Sequence, residues 1–588
     1  MVQELNTSHL ISNMTNTIIL APGTTTDKKK LTEEELIGRN SLRHLSSSTS
    51  SSSGSSISSS GQTHSYLKYL RAKRAFCAQC IMNAALIVLM TGYGMPIGFS
   101  GIVSPKLQAE NSSLRIDQDT ASWIVSVHSI ATPIGAILAG PLMDEFGRKA
   151  TLQFSIVPMV LGWVLISLTP NAMCLIIGRL LAGFAVGMGP APSQILIGEI
   201  SEPKLRGFFG STPSASYALG ILLVYGMSSM YDWRIVAALG AFLPVMAFVF
   251  LCFLPESPTW YINKNRIEEA RASLIWLRGG DREKADEELQ SLLMLSKTHN
   301  KMQRECPEGA QSLEALSFIS LVKKCWRMFC RPEVKRPFSI IITFAILQIM
   351  SGSYIIIFYA VELVSAAAGS ENQDLTVTIA VMTAFTRFLV SILVSILLFV
   401  MGRRTLGIIS GIGTAIASLC IVVYLYCKQN NIWLWSTDLE MCHSMCSGVA
   451  IACLIMLYVA MNTLGIFSLP MLLMAETLPA NVRGIVSGFT VMLVNIFIFG
   501  STKMYPYTKN LFGPIGIFTW FSVVSIAIAL YIYLYLPETK DRSLPEIEFY
   551  FRTGRNHLWI TRDKAMYKRK KKGKCKHIEA SNSNTQLT

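Results

Sequence analysis

The sequence predicts an all-α membrane protein of twelve transmembrane helices, arranged as two six-helix halves with both termini cytoplasmic. Three observations carry that expectation. Hydrophobic residues make up 51% of the 588 residues and charged residues 15%, with a mean hydropathy of +0.41, whereas soluble domains carry about 25% charge. Twelve apolar runs are each long enough to supply the ~20 residues that cross a bilayer core. The basic residues gather on one side of those runs.

The runs lie near 78–101, 120–142, 150–168, 172–197, 207–228, 233–254, 338–362, 375–400, 406–426, 447–473, 484–502 and 514–536. They imply a Ser-rich tail (1–75), a first half (76–255), a cytoplasmic loop with short helices (256–337), a second half (338–537) and a basic tail (538–588). With the N-terminus cytoplasmic, only Lys106, Arg115, Lys428, Lys503 and Lys509 fall outside, and Arg179, Arg234 and Arg387 within spans; the rest of the 52 Lys and Arg face the cytoplasm. That asymmetry follows the positive-inside rule. The net charge of +15 is therefore a topology signal. It is not a nucleic-acid footprint, and the bilayer is the expected surroundings.

The tails and loops add less. Ser46–Ser60 is too polar to bury surface and reads as unfolded. The cluster Lys568, Arg569, Lys570, Lys571, Lys572, Lys574 and Lys576 suits contact with anionic inner-leaflet lipid, or a solvated basic tail. Asn111-Ser112-Ser113 is an N-glycosylation acceptor in the first external loop, consistent with the plasma membrane. Cys427, Cys442 and Cys446 share an external loop where a disulfide is permitted. Cys77 and Cys80 form a lone CxxC, and no metal is expected there. No nucleophile–base set or phosphate-cradling loop is present, so neither an enzyme nor a cofactor is expected.

Internal repetition is the strongest pattern. Gly147-Arg148-Lys149 recurs as Gly402-Arg403-Arg404. Glu199 precedes Arg206 by the same interval that separates Glu476 from Arg483. Pro255-Glu256-Ser257-Pro258 recurs as Pro537-Glu538-Thr539-Lys540. Each motif falls at the cytoplasmic end of the corresponding helix, where paired charges across the two halves would form a gate. Duplicated six-helix halves around a midplane site describe a carrier that rocks between two facing states. The gating candidates are Asp144, Arg148, Arg179, Glu199, Arg206, Arg403, Glu476 and Arg483, expected to hold the outward-facing state.

These motifs resemble the sugar porters of the major facilitator superfamily, together with Gly140-Pro-Leu-Met-Asp144-Glu-Phe-Gly147, Gly178-Arg179-Leu-Leu-Ala-Gly183 and Trp233-Arg234. The resemblance covers about residues 75–550. Thr212-Pro213, Arg206-Gly207 and Glu268-Glu269-Ala270-Arg271 to Leu277-Arg278-Gly279 are similar to insect facilitated trehalose transporters. It implies a sugar site lined by the fifth, seventh, eighth, tenth and eleventh spans. A sugar calls for amides, hydroxyls and aromatic faces. The substrate candidates are Ser214, Gln348, Tyr354, Tyr359, Arg387, Thr463 and Asn495, and Gly352 is expected to ease a break in the seventh span.

Departures from the family pattern are informative. Ile349 stands beside Gln348 in place of a second glutamine, Tyr354 replaces an asparagine, Ser214 a glutamine and Met471 a tryptophan. Phe399-Val400-Met401 lacks the family's acid before Gly402. Arg387, near the middle of the eighth span, is costly unless it meets water or a partner. Proton-coupled relatives carry an aspartate in the first span, whereas Gly92-Tyr93-Gly94-Met95-Pro96 has no acid. His128 reads as a packed, hydrogen-bonded histidine. The expectation is facilitated diffusion of a neutral sugar, trehalose first and hexose next. A carrier of a different, anionic solute and a non-transporting sugar sensor are the alternatives.

Overall fold

The computed structural model describes residues 56–108, 114, 116–202, 205–305, 332–368, 373–430, 440–478, 483–540, 547, 550 and 551. Asn111, the basic cluster 568–576 and the side chains of Arg206, Arg483, Cys442 and Cys446 lie outside the described residues. The first half begins with α1 (Ser56–Gln108), α2 (Gln118–Phe146), α3 (Arg148–Ser167), α4 (Ala172–Met188) and α5 (Pro190–Ile200). It ends with α6 (Arg206–Ser228), α7 (Trp233–Gly240) and α8 (Phe242–Cys252). Three short helices follow: α9 (Pro258–Asn263), α10 (Ile267–Leu277) and α11 (Arg282–Glu305). The second half comprises α12 (Pro332–Met350), α13 (Ile355–Phe358), α14 (Ala360–Ala368), α15 (Gln373–Val400) and α16 (Arg403–Gln429), then α17 (Glu440–Asn462), a π-helical turn (Thr463–Phe467), α18 (Leu469–Thr477) and α19 (Arg483–Tyr535).

Among the described residues, nine helices are long and apolar enough to cross a membrane. They take in ten of the twelve expected runs, because α19 is two helices joined at Gly513, whose φ of 61° and ψ of 179° break the helical path just before Pro514. The fifth run forms α6, and the seventh is interrupted into α12, α13 and α14. The first helix departs from expectation: it starts at Ser56, inside the serine run that reads as unfolded. Leu67–Arg74 consists largely of strong helix formers, and extending an existing helix costs far less than nucleating one.

Two compact units emerge, Met1–Ala85 with Phe248–Cys306, and Leu86–Ala247 with Pro307–Thr588. In the first, Ile262, Ala270, Leu274, Ala285 and Leu289 form a small apolar core. Arg278 grips Glu288 with two bonds of 2.7 Å, and Arg271 grips Asp286 at 2.6 and 2.8 Å. The Arg271 hydrogen bond holds the Asp286 carboxyl below the usual carboxylate range.

In the second unit α4 lies against α2 and α3, and α19 against α16. The halves meet most extensively where α2 lies against α19 and α6 against α15. Close packing of α2 on α4 depends on Gly183 and Gly187, four residues apart, where a Cβ would stand 2.2 Å from the His128 carbonyl and 2.0 Å from that of Thr132. Small residues at this spacing let apolar helices approach backbone to backbone in lipid. His128 is buried at that seam as expected, yet neither of its ring nitrogens has a hydrogen-bond partner. The close backbone approach leaves the imidazole packed with no acceptor in reach.

Candidate functional site

The seventh run breaks at Ser351-Gly352-Ser353-Tyr354. Gly352 adopts φ +85°, and a Cβ there would lie 2.4 Å from the Phe521 ring. Only glycine combines that dihedral with so close a neighbour. The break is held by side chains rather than by helix bonds. Ser353 Oγ donates to Asn462 Oδ1 at 2.8 Å, Asn462 Nδ2 donates to Ser351 Oγ at 3.4 Å, and the Tyr458 hydroxyl donates to the Ser351 carbonyl. Phe521, Phe518 and Tyr458 back the break as an aromatic cluster.

Facing it, the tenth run loosens into the π turn Thr463–Phe467. Ser410 of α16 is the cause on the partner side: its Oγ accepts from the amides of Gly465 and Ile466 at 3.0 and 2.9 Å and donates to the Met461 carbonyl at 2.6 Å. One hydroxyl thus replaces several intrahelical bonds. Pro470, which has no N–H, prevents the turn from closing back into a regular helix.

Between these two irregularities sits Arg387 of α15, 3% exposed. Its guanidinium lies 4.8 Å from the centre of the Phe467 ring, and Tyr225, Tyr458 and Tyr354 are the groups within its electrostatic range. Arg387 Nη1 and Thr463 Oγ1 are buried without a hydrogen-bond partner. Gln348 Nε2 donates to the Phe467 carbonyl at 3.2 Å, and the Tyr354 ring lies 5.7 Å from that of Phe467. A forked donor, an amide, the Tyr354 phenol and two aromatic faces therefore converge around Phe467, with Thr463 at the other end of the same π turn. Such a set binds a small polyhydroxylated molecule by directed hydrogen bonds and by ring faces against C–H groups.

The repeated charges occupy equivalent places in the two halves. Arg148 Nη2 meets Glu199 at 3.1 Å and its Nη1 donates to the Met143 carbonyl at 3.3 Å. Arg403 Nη2 meets Glu476 at 2.8 Å and its Nη1 donates to the Leu398 carbonyl at 3.3 Å. Both of these pairs lie within a half; the side chains of Arg206 and Arg483, from which pairs across the halves are also expected, lie outside the described residues. Each arginine opens the third helix of its half, one helix away from the glutamate that ends the fourth, so the local partner is the nearer one. Asp144 is exposed near the end of α2, and Arg206 and Arg483 open α6 and α19.

Glu538 caps α16, accepting from the amides of Arg403 and Arg404 at 3.0 and 3.1 Å. A carboxylate at a helix N-terminus is worth about 1 kcal/mol. Glu538→Gln is therefore expected to lower the melting temperature of the detergent-solubilised protein, and an unchanged melting temperature would show the charge adds nothing there.

At the opposite end the halves are tied directly. Lys503 Nζ of α19 meets Asp119 of α2 and the Ser122 hydroxyl, each at 2.7 Å. Ser104 donates to Glu362 Oε1 at 2.7 Å, and Tyr225 donates to the Ile357 carbonyl at 2.7 Å.

Comparison with known proteins decides the family. Residues 80–551 match a family model described as "Sugar (and other) transporter". The chain belongs to the sugar transporter family. A facilitated trehalose transporter homologue of Drosophila sechellia is 30% identical over 77% of this chain and 87% of its own length. The facilitated trehalose transporter of Bombyx mori is 29% identical over 78% of this chain and 85% of its own. The fold is that of the major facilitator superfamily. The partially occluded, inward-open E. coli xylose transporter superimposes with a TM-score of 0.61 at 17% identity, covering 79% of this chain and 99% of that one. The proton:xylose symporter bound to 6-bromo-6-deoxy-D-glucose gives 0.61 at 18% identity, over 82% and 100%. This chain is thus a multi-pass membrane sugar porter, a transporter rather than an enzyme, resembling the insect trehalose transporters.

Within this sugar transporter, the structure gathers Gln348, Tyr354, Arg387 and Thr463 into one cluster and leaves the other candidates elsewhere. The Tyr359 hydroxyl donates to the Thr502 carbonyl at 2.9 Å and its ring stacks on Tyr505 at 4.5 Å. Asn495 donates back to Val491 of its own helix at 2.9 Å. Ser214 is exposed on α6, with no bond to the cluster among the described residues. Arg179 is fully buried and donates to the carbonyls of Pro96 and Ile124 and to the Ser100 hydroxyl, joining α4 to α1 and α2. Phe467, Tyr225, Tyr458, Asn462 and Ser410 escaped the sequence reading. Nothing in their local sequence marks them, because aromatic and small polar residues are common in every span.

Proposed function

We propose that this protein carries a neutral sugar down its gradient across the plasma membrane by alternating access and without proton coupling, trehalose first and hexose next. The observation that carries the reading is the cluster of Gln348, Tyr354, Arg387 and Thr463 around Phe467, where a broken helix and a π turn face one another. The trehalose transporters among its relatives favour that substrate. Arg179 supports uncoupled transport, since its three bonds go to neutral acceptors and no carboxylate there has to take up a proton for it to be released. With the orientation that the basic residues imply, Lys503–Asp119 and Ser104–Glu362 close the external side.

Labelled trehalose and glucose uptake in oocytes with confirmed surface expression tests the reading. Saturable uptake that stops at equilibrium and is equal at acidic and neutral external pH is expected. Accumulation above equilibrium that grows as the external pH falls would overturn the uncoupled mechanism, and no uptake of either sugar would overturn transport of neutral sugars.

A further inference from the structure

Arg179 and Arg387, both buried within membrane spans, are satisfied in different ways. Arg179 spends Nε, Nη1 and Nη2 on acceptors of α1 and α2. Arg387 is 3% exposed, yet its Nη1 makes no hydrogen bond and its guanidinium rests on the Phe467 ring. Burying a cation is strongly unfavourable unless a negative charge or a set of acceptors compensates it. A ring face does so only in part.

Among the described residues, the titratable groups that act electrostatically on Arg387 are Tyr225, Tyr458 and Tyr354, and none of them is a carboxylate. Tyr225 and Tyr458 already spend their protons on the Ile357 and Ser351 carbonyls. A neutral sugar hydroxyl would complete the hydrogen bonding of Nη1 and leave the charge as it is. A carboxylate completes both, because its two oxygens match the guanidinium fork.

We propose that the cluster prefers a carboxylated sugar, a uronate or aldonate, with its carboxylate on Arg387 and its C–H face against Phe467 and Tyr354. This goes beyond the neutral-sugar reading and rests only on its uncoupled transport. One cation balances one charge, so the ligand is a monoanion. A phosphate ester, carrying close to two charges, would be left half-compensated. Gln348, whose amide reaches the Phe467 carbonyl, is placed to meet the sugar's neutral hydroxyls, which sets this ligand apart from a simple carboxylic acid.

The test uses oocytes expressing the full chain, with D-glucuronate as the probe under voltage clamp. Entry of a monoanion by an uncoupled carrier gives a saturable outward current, whereas neutral sugar gives none. Glucuronate is expected to carry that current and to compete with labelled glucose at least about tenfold better than its neutral methyl ester, the ratio equivalent to about 1.4 kcal/mol. Arg387→Gln is expected to lower the glucuronate-to-glucose uptake ratio about tenfold or more at matched surface amounts, and Arg387→Lys to restore the current in part. If glucose or trehalose enters while glucuronate neither competes nor carries current, the carboxylate preference fails and the neutral transport reading stands. An ester that competes as well as the acid overturns the preference too. If neither class of sugar enters, both readings fall.

Discussion

Gly352→Ala is expected to abolish sugar uptake and to lower the thermal stability of the detergent-solubilised protein. Two costs add at this position. An L-residue at φ +85° pays about 1–3 kcal/mol of backbone strain. Its Cβ would also stand 2.4 Å from the Phe521 ring, which is 2% exposed and wedged against Tyr458 and Phe518. Relief requires moving either that aromatic cluster or the break itself, and the break carries Ser351, Ser353 and Tyr354. Gly500→Ala is the matched control, because no heavy atom lies within 4 Å of its added methyl and the backbone there is helical. Paired melting curves and uptake assays decide the matter: a Gly352→Ala protein as stable and active as Gly500→Ala would show that the break is not built as described.

Arg179→Leu is expected to cost about 1–3 kcal/mol, the range for leaving buried neutral hydrogen-bonding groups unsatisfied. The side chain is completely buried and joins three helices through the Pro96 carbonyl, the Ser100 hydroxyl and the Ile124 carbonyl. Leucine fills much of the volume but supplies no donor, so the ties from α4 to α1 and α2 are lost in a region where water is scarce. Arg179→Lys is expected to recover only part of the loss, since an ammonium on a flexible stem cannot reproduce a planar fork directed at three helices. Surface expression and melting temperature report the effect. Wild-type values for Arg179→Leu would mean that the three bonds contribute nothing net.

Expectation and structure part company in a way that separates two kinds of information. The duplicated charge motifs were legible because Gly-Arg and Glu…Arg spacings repeat in order, and the structure gives the two arginines equivalent geometry, each on a glutamate and on a carbonyl five residues back. Their partners were not legible. Spacing places a charge at a helix end and says nothing about which neighbouring end it meets: Arg148 and Arg403 each meet a glutamate of their own half. Tyr359 shows the same limit: it is polar and within a span, but its hydroxyl is spent on the Thr502 carbonyl, while Asn495 bonds back to Val491 of its own helix.

The sequence by itself determined the helical membrane class, the two repeated halves, the weak point at Gly352 and the short list of polar residues from which the site is drawn. It could do so because a bilayer penalises polar side chains strongly enough that each one within a span stands out. Only the tertiary structure decided that Arg387 rests on Phe467 and that Ser410 opens the π turn. It also brought Tyr225, Tyr458 and Asn462 to the centre. With 28 Phe and 19 Tyr in the chain, no aromatic residue is distinguished until helix rotation and helix–helix approach fix which faces meet. Those are set by packing between segments far apart in sequence, and no local pattern records them.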